Sequence, residues 1–180
     1  VILLNSTIDG EEYNVHRNHK NPDKAANKLA EVNNKILSLI RVLRYQDTDV
    51  AKNIINRYNP DNLIENSPCD PHGDTSYTIN KGKVLALCMR EKNPGKNLVH
   101  DFHPINTLLF VALHELAHIG VNETNHTLGF WKAFYYLLNI SAANKIYNPI
   151  NYLLHPVSYC GLKIDYNPLF DTTLARTMDN

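Results

Sequence analysis

The sequence predicts an α+β fold: a small antiparallel sheet or hairpin packed on one apolar helix, with long helices flanking it. Three observations carry the prediction. Two β-rich runs, residues 76–79 and 83–88, flank Asn80-Lys81-Gly82, a Gly-containing turn between strand-like segments that reads as a hairpin. Ala25, Leu29, Val32, Ile36, Ile40 and Leu43 recur at steps of three or four, one apolar stripe on a helix of roughly six turns. Residues 105–119 form a second helix so apolar that it belongs in the core, yet it carries His114, Glu115 and His118.

In chain order, residues 2–16 read as one or two short extended segments of an N-terminal arm spanning residues 1–20. Asn21-Pro22-Asp23 starts the first helix, with Asn as N-cap, Pro at the first helical position and an acid in the first turn. A shorter helix fits residues 49–57, with Val50, Ile54 and Ile55 inward, and Asn59-Pro60 stops it. Residues 60–74 and 91–100 read as loops. Pro104 opens the apolar helix and Gly120 is its expected stop. A further helix covers residues 127–139, with Phe130, Trp131, Phe134, Tyr135 and Leu138 at helical spacing. Residues 149–180, with prolines at 149, 156 and 168, read as an irregular C-terminal tail. The expectation is a single domain over residues 1–180.

Composition narrows the function classes. Lys plus Arg and Asp plus Glu number 18 each, a formal net charge of zero, so the broad basic footprint of a dedicated nucleic-acid binder is missing. The three cysteines, Cys69, Cys88 and Cys160, make no CxxC pair and are too scattered for a disulfide framework; they read as buried or free thiols in a reducing compartment. Val1-Ile2-Leu3-Leu4 is far shorter than the ~20 apolar residues a membrane span requires. Membrane contact is expected only if a hydrophobic segment precedes Val1.

The chemistry lies in His114-Glu115-Leu116-Ala117-His118. Residues four apart share a helix face, so both imidazoles can address one ion, while Glu115, turned by about 100°, stands beside it. Zinc accepts ring nitrogens at ~2.0–2.1 Å in a tetrahedron, and a carboxylate so placed suits a general base toward water. With nine histidines in 180 residues, such a pattern is expected by chance only about 0.02 times. Three ionisable groups on an apolar helix are costly unless paired or ligating. A hydrolytic zinc takes a third protein ligand and keeps a fourth position open. His126, across the five residues that follow Gly120 and just ahead of the next helix, is the candidate. Glu123 on the same loop is the rival.

Residues 114–118, a short loop, and His126-Thr127-Leu128-Gly129-Phe130-Trp131 resemble the motif of the WLM and SprT-like metallopeptidases, over about residues 76–140. The seven residues between His118 and His126 are more than the WLM pattern has and closer to the SprT-like one. The resemblance implies a zincin-like fold, a Zn2+ cofactor held by His114, His118 and His126, and Glu115 as catalytic base. It also implies a protein or peptide substrate, bound beside the strand nearest the cleft. Some zincins use a downstream Tyr to stabilise the oxyanion, and Tyr159 is the candidate here; packing into the core is its other reading. The Ala25-Ala26-Asn27 helix, the segment from Asp74 to Tyr77 and Tyr159-Cys160-Gly161 are similar to WLM-like proteins of large DNA viruses of algae and protists. That implies a viral protein located in the virion or the host-cell interior, with other virion proteins as partners.

Three functions follow as expectations. One is a zinc-dependent peptidase. Another is a structural virion component, a minor capsid or scaffold protein on the same fold. The third is a DNA-linked repair protease, which the neutral charge disfavours.

Overall fold

Helix α1 (Pro22–Leu43) forms where the apolar stripe predicts it, and all six stripe residues are buried. Pro22 occupies the first turn, but Asn21 does not cap through its side chain; its backbone is left-handed, with φ 55°. The chain is described here from a computed structural model covering residues 1–67, 75–92 and 99–178. Cys69 and part of both expected loops, residues 68–74 and 93–98, lie outside the described residues.

Behind α1 stands a five-stranded sheet in the order β1-β2-β3-β5-β4, built from β1 (Ile2–Asn5), β2 (Glu12–Val15), β3 (Leu63–Asn66), β4 (Tyr77–Ile79) and β5 (Val84–Cys88). The hairpin forms as expected, with Thr78 opposite Leu85. The sheet is larger than a small antiparallel one and is mixed, because β3 runs parallel to both β2 and β5. The parallel step from β2 to β3 follows from the intervening helices, which return the chain across the sheet before the next strand. Residues 1–20 are therefore not an appended arm: β1 and β2 are one side of the sheet, and Tyr13 and Val15 lie in the core.

β3 falls inside the expected loop of residues 60–74, and its buried acid explains why. Glu65 pairs with Arg90, Nε to Oε2 at 3.0 Å, with both side chains almost fully enclosed. Arg90 also donates to the Lys20 carbonyl, and Glu65 accepts the His16 amide at 2.9 Å. A buried charge pair survives only when its remaining donors and acceptors are satisfied in this way. Arg90 opens β6 (Arg90–Lys92), which pairs with β7 (Val99–Phe102) where a loop is expected.

Helix α2 (Asp49–Arg57) has the predicted bounds, with Thr48 accepting the Ala51 amide as N-cap. Helix α3 (Ile105–Gly120) starts after Pro104 and includes Gly120 as its last residue. Gly120 is small for a packing reason: a Cβ there would lie 2.9 Å from Val50 Cγ1 of α2. Helix α4 (Leu128–Ala143) runs a turn past its expected end, and Thr127 caps it through the Phe130 amide. Residues 149–180 are more regular than a tail, holding the hairpin β8 (Val157–Tyr159) and β9 (Leu162–Ile164), a 3-10 turn and α5 (Thr172–Met178). Among the described residues, no helix is long and apolar enough to cross a membrane.

The cysteine reading is overturned. Cys88, at the end of β5, and Cys160, in the turn between β8 and β9, form a disulfide. They are 72 residues apart in sequence, and only the return of the C-terminal hairpin onto β5 brings them together.

Candidate metal centre

α3 is buried along most of its length, so its polar residues must find an opening or a partner. His114 and His118 lie four apart and face the same cleft, their ring centroids 5.1 Å apart. The polar turn after Gly120 brings His126 back to them: its centroid is 5.0 Å from each, and its Nε2 lies 3.2 Å from Nε2 of His114. Two nitrogens ~2.0–2.1 Å from a tetrahedral zinc are about 3.3 Å apart, so this spacing fits a shared cation. Ligand atoms of His114, His118 and His126 all lie within 4.8 Å of one another, a set that excludes Glu123. The Glu123 side chain turns instead to the start of α4, where a Cβ at Gly129 would stand 2.4 Å from its Oε1.

Phe130 floors the group. Its ring stacks on His118 at 4.2 Å and lies within 4.9 Å of His114 and His126. This is the aromatic stripe of α4 supplying a wall as well as core. The cleft above is about 610 Å³ and is bounded by Ser76, Tyr77 and Thr78 on the β4 side and by Thr124 and Asn125 on the ligand turn. Among the described residues β4 is an edge strand, and its outer edge lies beside the histidines.

Burial sets the protonation of the group. It pushes the Glu115 carboxyl up to about 8. It pulls the imidazoles down, His114 to about 3 and His118 to about 4, with the neighbouring histidines adding to the effect. Neutral imidazoles keep lone pairs free for a cation. A stability prediction follows for the metal-free chain. Between pH ~4.5 and ~8 folded Glu115 keeps a proton that the unfolded chain releases, so its contribution falls as pH rises. His114 and His118 act oppositely, and their contribution rises with pH until ~6.5. Urea unfolding in chelator is expected to show a loss of about 2 kcal/mol between pH 6.5 and 8 in the wild type relative to Glu115→Gln. Parallel pH profiles for the two proteins would refute it.

Tyr159 lies in the wall of the cleft, where burial and the Glu115 charge push its phenol pKa up. It is buried, its hydroxyl donates to the Cys88 carbonyl at 2.6 Å, and it contacts Ser76 Oγ at 2.5 Å. Ser76 Oγ in turn accepts the Cys88 amide at 3.1 Å. This closed ring of hydrogen bonds leaves the hydroxyl proton within the cleft wall and fixes the entry of β4. Tyr159 is a core residue by burial, and it stands close enough to Glu115 for the two to interact.

Sequence reasoning missed the groups that finish α3. The last carbonyls of a helix lack intrahelical partners. Here His118 O accepts from Lys81 Nζ at 2.9 Å, Ile119 O from Arg57 Nη1 at 2.8 Å, and Gly120 O from Asn53 Nδ2 at 2.9 Å. Two of the three donors are cations, favourable at the negative end of the helix dipole. No local pattern announces them, since each comes from 37 to 67 residues away.

No family model matches the chain. It is 37% identical over 168 residues to the uncharacterised protein R325 of Acanthamoeba polyphaga mimivirus, covering 90% of this chain and 81% of that one. It is 38% identical over 76 residues to the uncharacterised protein 136R of Invertebrate iridescent virus 6, covering 42% and 40% of the two chains. Among solved structures it is similar to Wss1 from Saccharomyces cerevisiae, with a TM-score of 0.55 and 20% identity over 74% of this chain and 88% of that one. The likeness to Wss1 is one of fold, and the fold is zincin-like.

Proposed function

Since the chain belongs to the viral protein family that includes mimivirus R325, and its fold is shared with Wss1, we propose that it is a zinc-dependent peptidase of the WLM type. The observation that carries this reading is the convergence of three imidazoles, two from α3 and one from the following turn, around one point beside a buried carboxylate. His114, His118 and His126 would hold the ion. Bound zinc supplies Lewis acidity toward the scissile carbonyl and toward water.

The chain's own residues do the rest. Glu115 takes the proton from the attacking water and returns it to the leaving amine. The outward edge of β4 pairs with the backbone of an extended peptide, which lays the scissile bond along the cleft. The polar walls at Thr78, Thr124 and Asn125 keep that backbone hydrated until it docks.

Metal analysis of the purified protein is expected to give one zinc per chain. Casein cleavage should disappear with chelator and return on adding zinc. His126→Ala should lower zinc affinity by at least about tenfold, since three protein ligands become two. A wild type that binds no zinc, or a His126→Ala protein that binds it equally well, would defeat the reading.

A structural role in the virion, on the same fold, is the second reading; its support is that the relatives are viral proteins. Under that reading a virus carrying Glu115→Gln assembles normally with the protein in its particles. Under the peptidase reading a processing or cleavage defect appears.

A further inference from the structure

We propose that Lys81 is a positioning residue for the three-histidine site: its ammonium ties the turn bearing His126 to the end of the helix bearing His114 and His118. The inference rests on the metal-binding reading above and concerns how that site keeps its shape.

Lys81 Nζ donates to two backbone carbonyls, His118 O at 2.9 Å and Glu123 O at 2.6 Å. The first belongs to a residue that offers an imidazole to the site. The second lies three residues before His126. One ammonium thus spans the two segments whose separation decides whether the imidazoles converge. His126 is exposed, whereas His114 and His118 are fixed on a buried helix. The turn is therefore the part of the site that needs an external tether.

The hairpin is built to deliver this side chain. Asn80, Lys81 and Gly82 have φ of 47°, 54° and 103°, three successive left-handed residues. That conformation is unfavourable for residues that carry a Cβ, such as Asn80 and Lys81, and is kept where surrounding structure enforces it. The enforcement is visible at Gly82. Its carbonyl accepts Asn62 Nδ2 at 2.9 Å, and a Cβ there would lie 3.0 Å from the Arg57 carbonyl. The turn is thus pressed against the end of α2, and Lys81 is aimed from a rigid base. Lys81 also continues into the strand pair that forms the cleft wall, so one residue joins the edge strand, the ligand helix and the ligand turn.

The remaining contacts of the turn show what Lys81 adds. Arg57 reaches the turn through the Asn122 side chain, at 2.8 Å. Asn53 caps Gly120 O at the end of α3. It serves as the control, with the same kind of helix-end capping and a bond that leaves the ligand turn alone.

The test measures zinc affinity by competition with a chelating dye, using the full chain with Lys81→Met, Lys81→Gln, Lys81→Arg and Asn53→Ala. Groups that orient metal ligands typically cost 10–100-fold in affinity when removed. Lys81→Met and Lys81→Gln are expected to weaken zinc binding by about that factor and to alter the visible spectrum of the cobalt-substituted protein. Lys81→Arg, with its several donors, should recover most of the affinity. Asn53→Ala should lower the melting temperature in chelator yet leave zinc affinity and the cobalt spectrum as in the wild type.

Should Lys81→Met fail to fold, the Gln and Arg pair carries the comparison. Equal zinc affinity in wild type, Lys81→Gln and Lys81→Met overturns the proposal while leaving the metal reading intact. So does an equal loss in Asn53→Ala, which would reduce Lys81 to general stability. A wild type that binds no zinc overturns the metal reading and this one with it.

Discussion

Glu115→Gln is expected to lower peptide hydrolysis by roughly 10²–10⁴-fold, the usual share of a positioned general base, and to leave zinc content unchanged. The amide keeps the shape of the carboxyl but cannot accept a proton from water. Glu115 is outside the set of converging ligand atoms, so its loss removes no ligand. It lines the cleft next to His114 and His118, within reach of a water held there. Burial opposes a charge on it, and a nearby cation reverses that preference by favouring the carboxylate. The comparison is initial rates on casein, with metal content measured on the same samples. Full activity in the Gln variant would remove Glu115 from the chemistry; loss of zinc would recast it as a ligand or a structural support.

Reduction of Cys88–Cys160 is expected to destabilise the fold by about 4 kcal/mol, because the link closes a long loop in the unfolded chain. The loop follows from a sequence separation of 72 residues. For a domain of this size, that corresponds to a fall in Tm of roughly 10 °C. The effect should extend to the cleft. Cys160 follows Tyr159, whose hydroxyl joins Ser76 and Cys88, so the disulfide secures the hydrogen-bond ring at the entry of β4. Thermal melts with and without reductant test the stability, and hydrolysis measured alongside tests the reach to the cleft. A Cys160→Ser protein should behave as the reduced wild type. Coincident melts would show that the link contributes nothing, and mass analysis finding three free thiols would show that it does not form.

The parts of the fold that were legible are those whose cause is local. α2 has the bounds its sequence suggests, and Thr48 caps it; the stripe from Ala25 to Leu43 is buried as its period requires. Asn80-Lys81-Gly82 makes the turn its composition suggests. β3 was hidden because four residues, one of them a buried acid, show no alternation. Their stability comes from neighbours on both sides and from Arg90, 25 positions on. The strands β6 and β7 were hidden for a similar reason, being short and polar.

The candidate site divides along the same line. The spacing of His114, Glu115 and His118 on one helix determined, from sequence alone, a shared face for two imidazoles and a flanking carboxylate, because helical geometry is set by residues four apart. Tertiary structure decided the rest. It brought His126 rather than Glu123 to the group, set Tyr159 into the wall, joined Cys88 to Cys160 and aimed Lys81 at the ligand turn. Each of these depends on which distant backbone segments come to lie side by side. That choice is made by the packing of the whole core, and no local stretch of the chain encodes it.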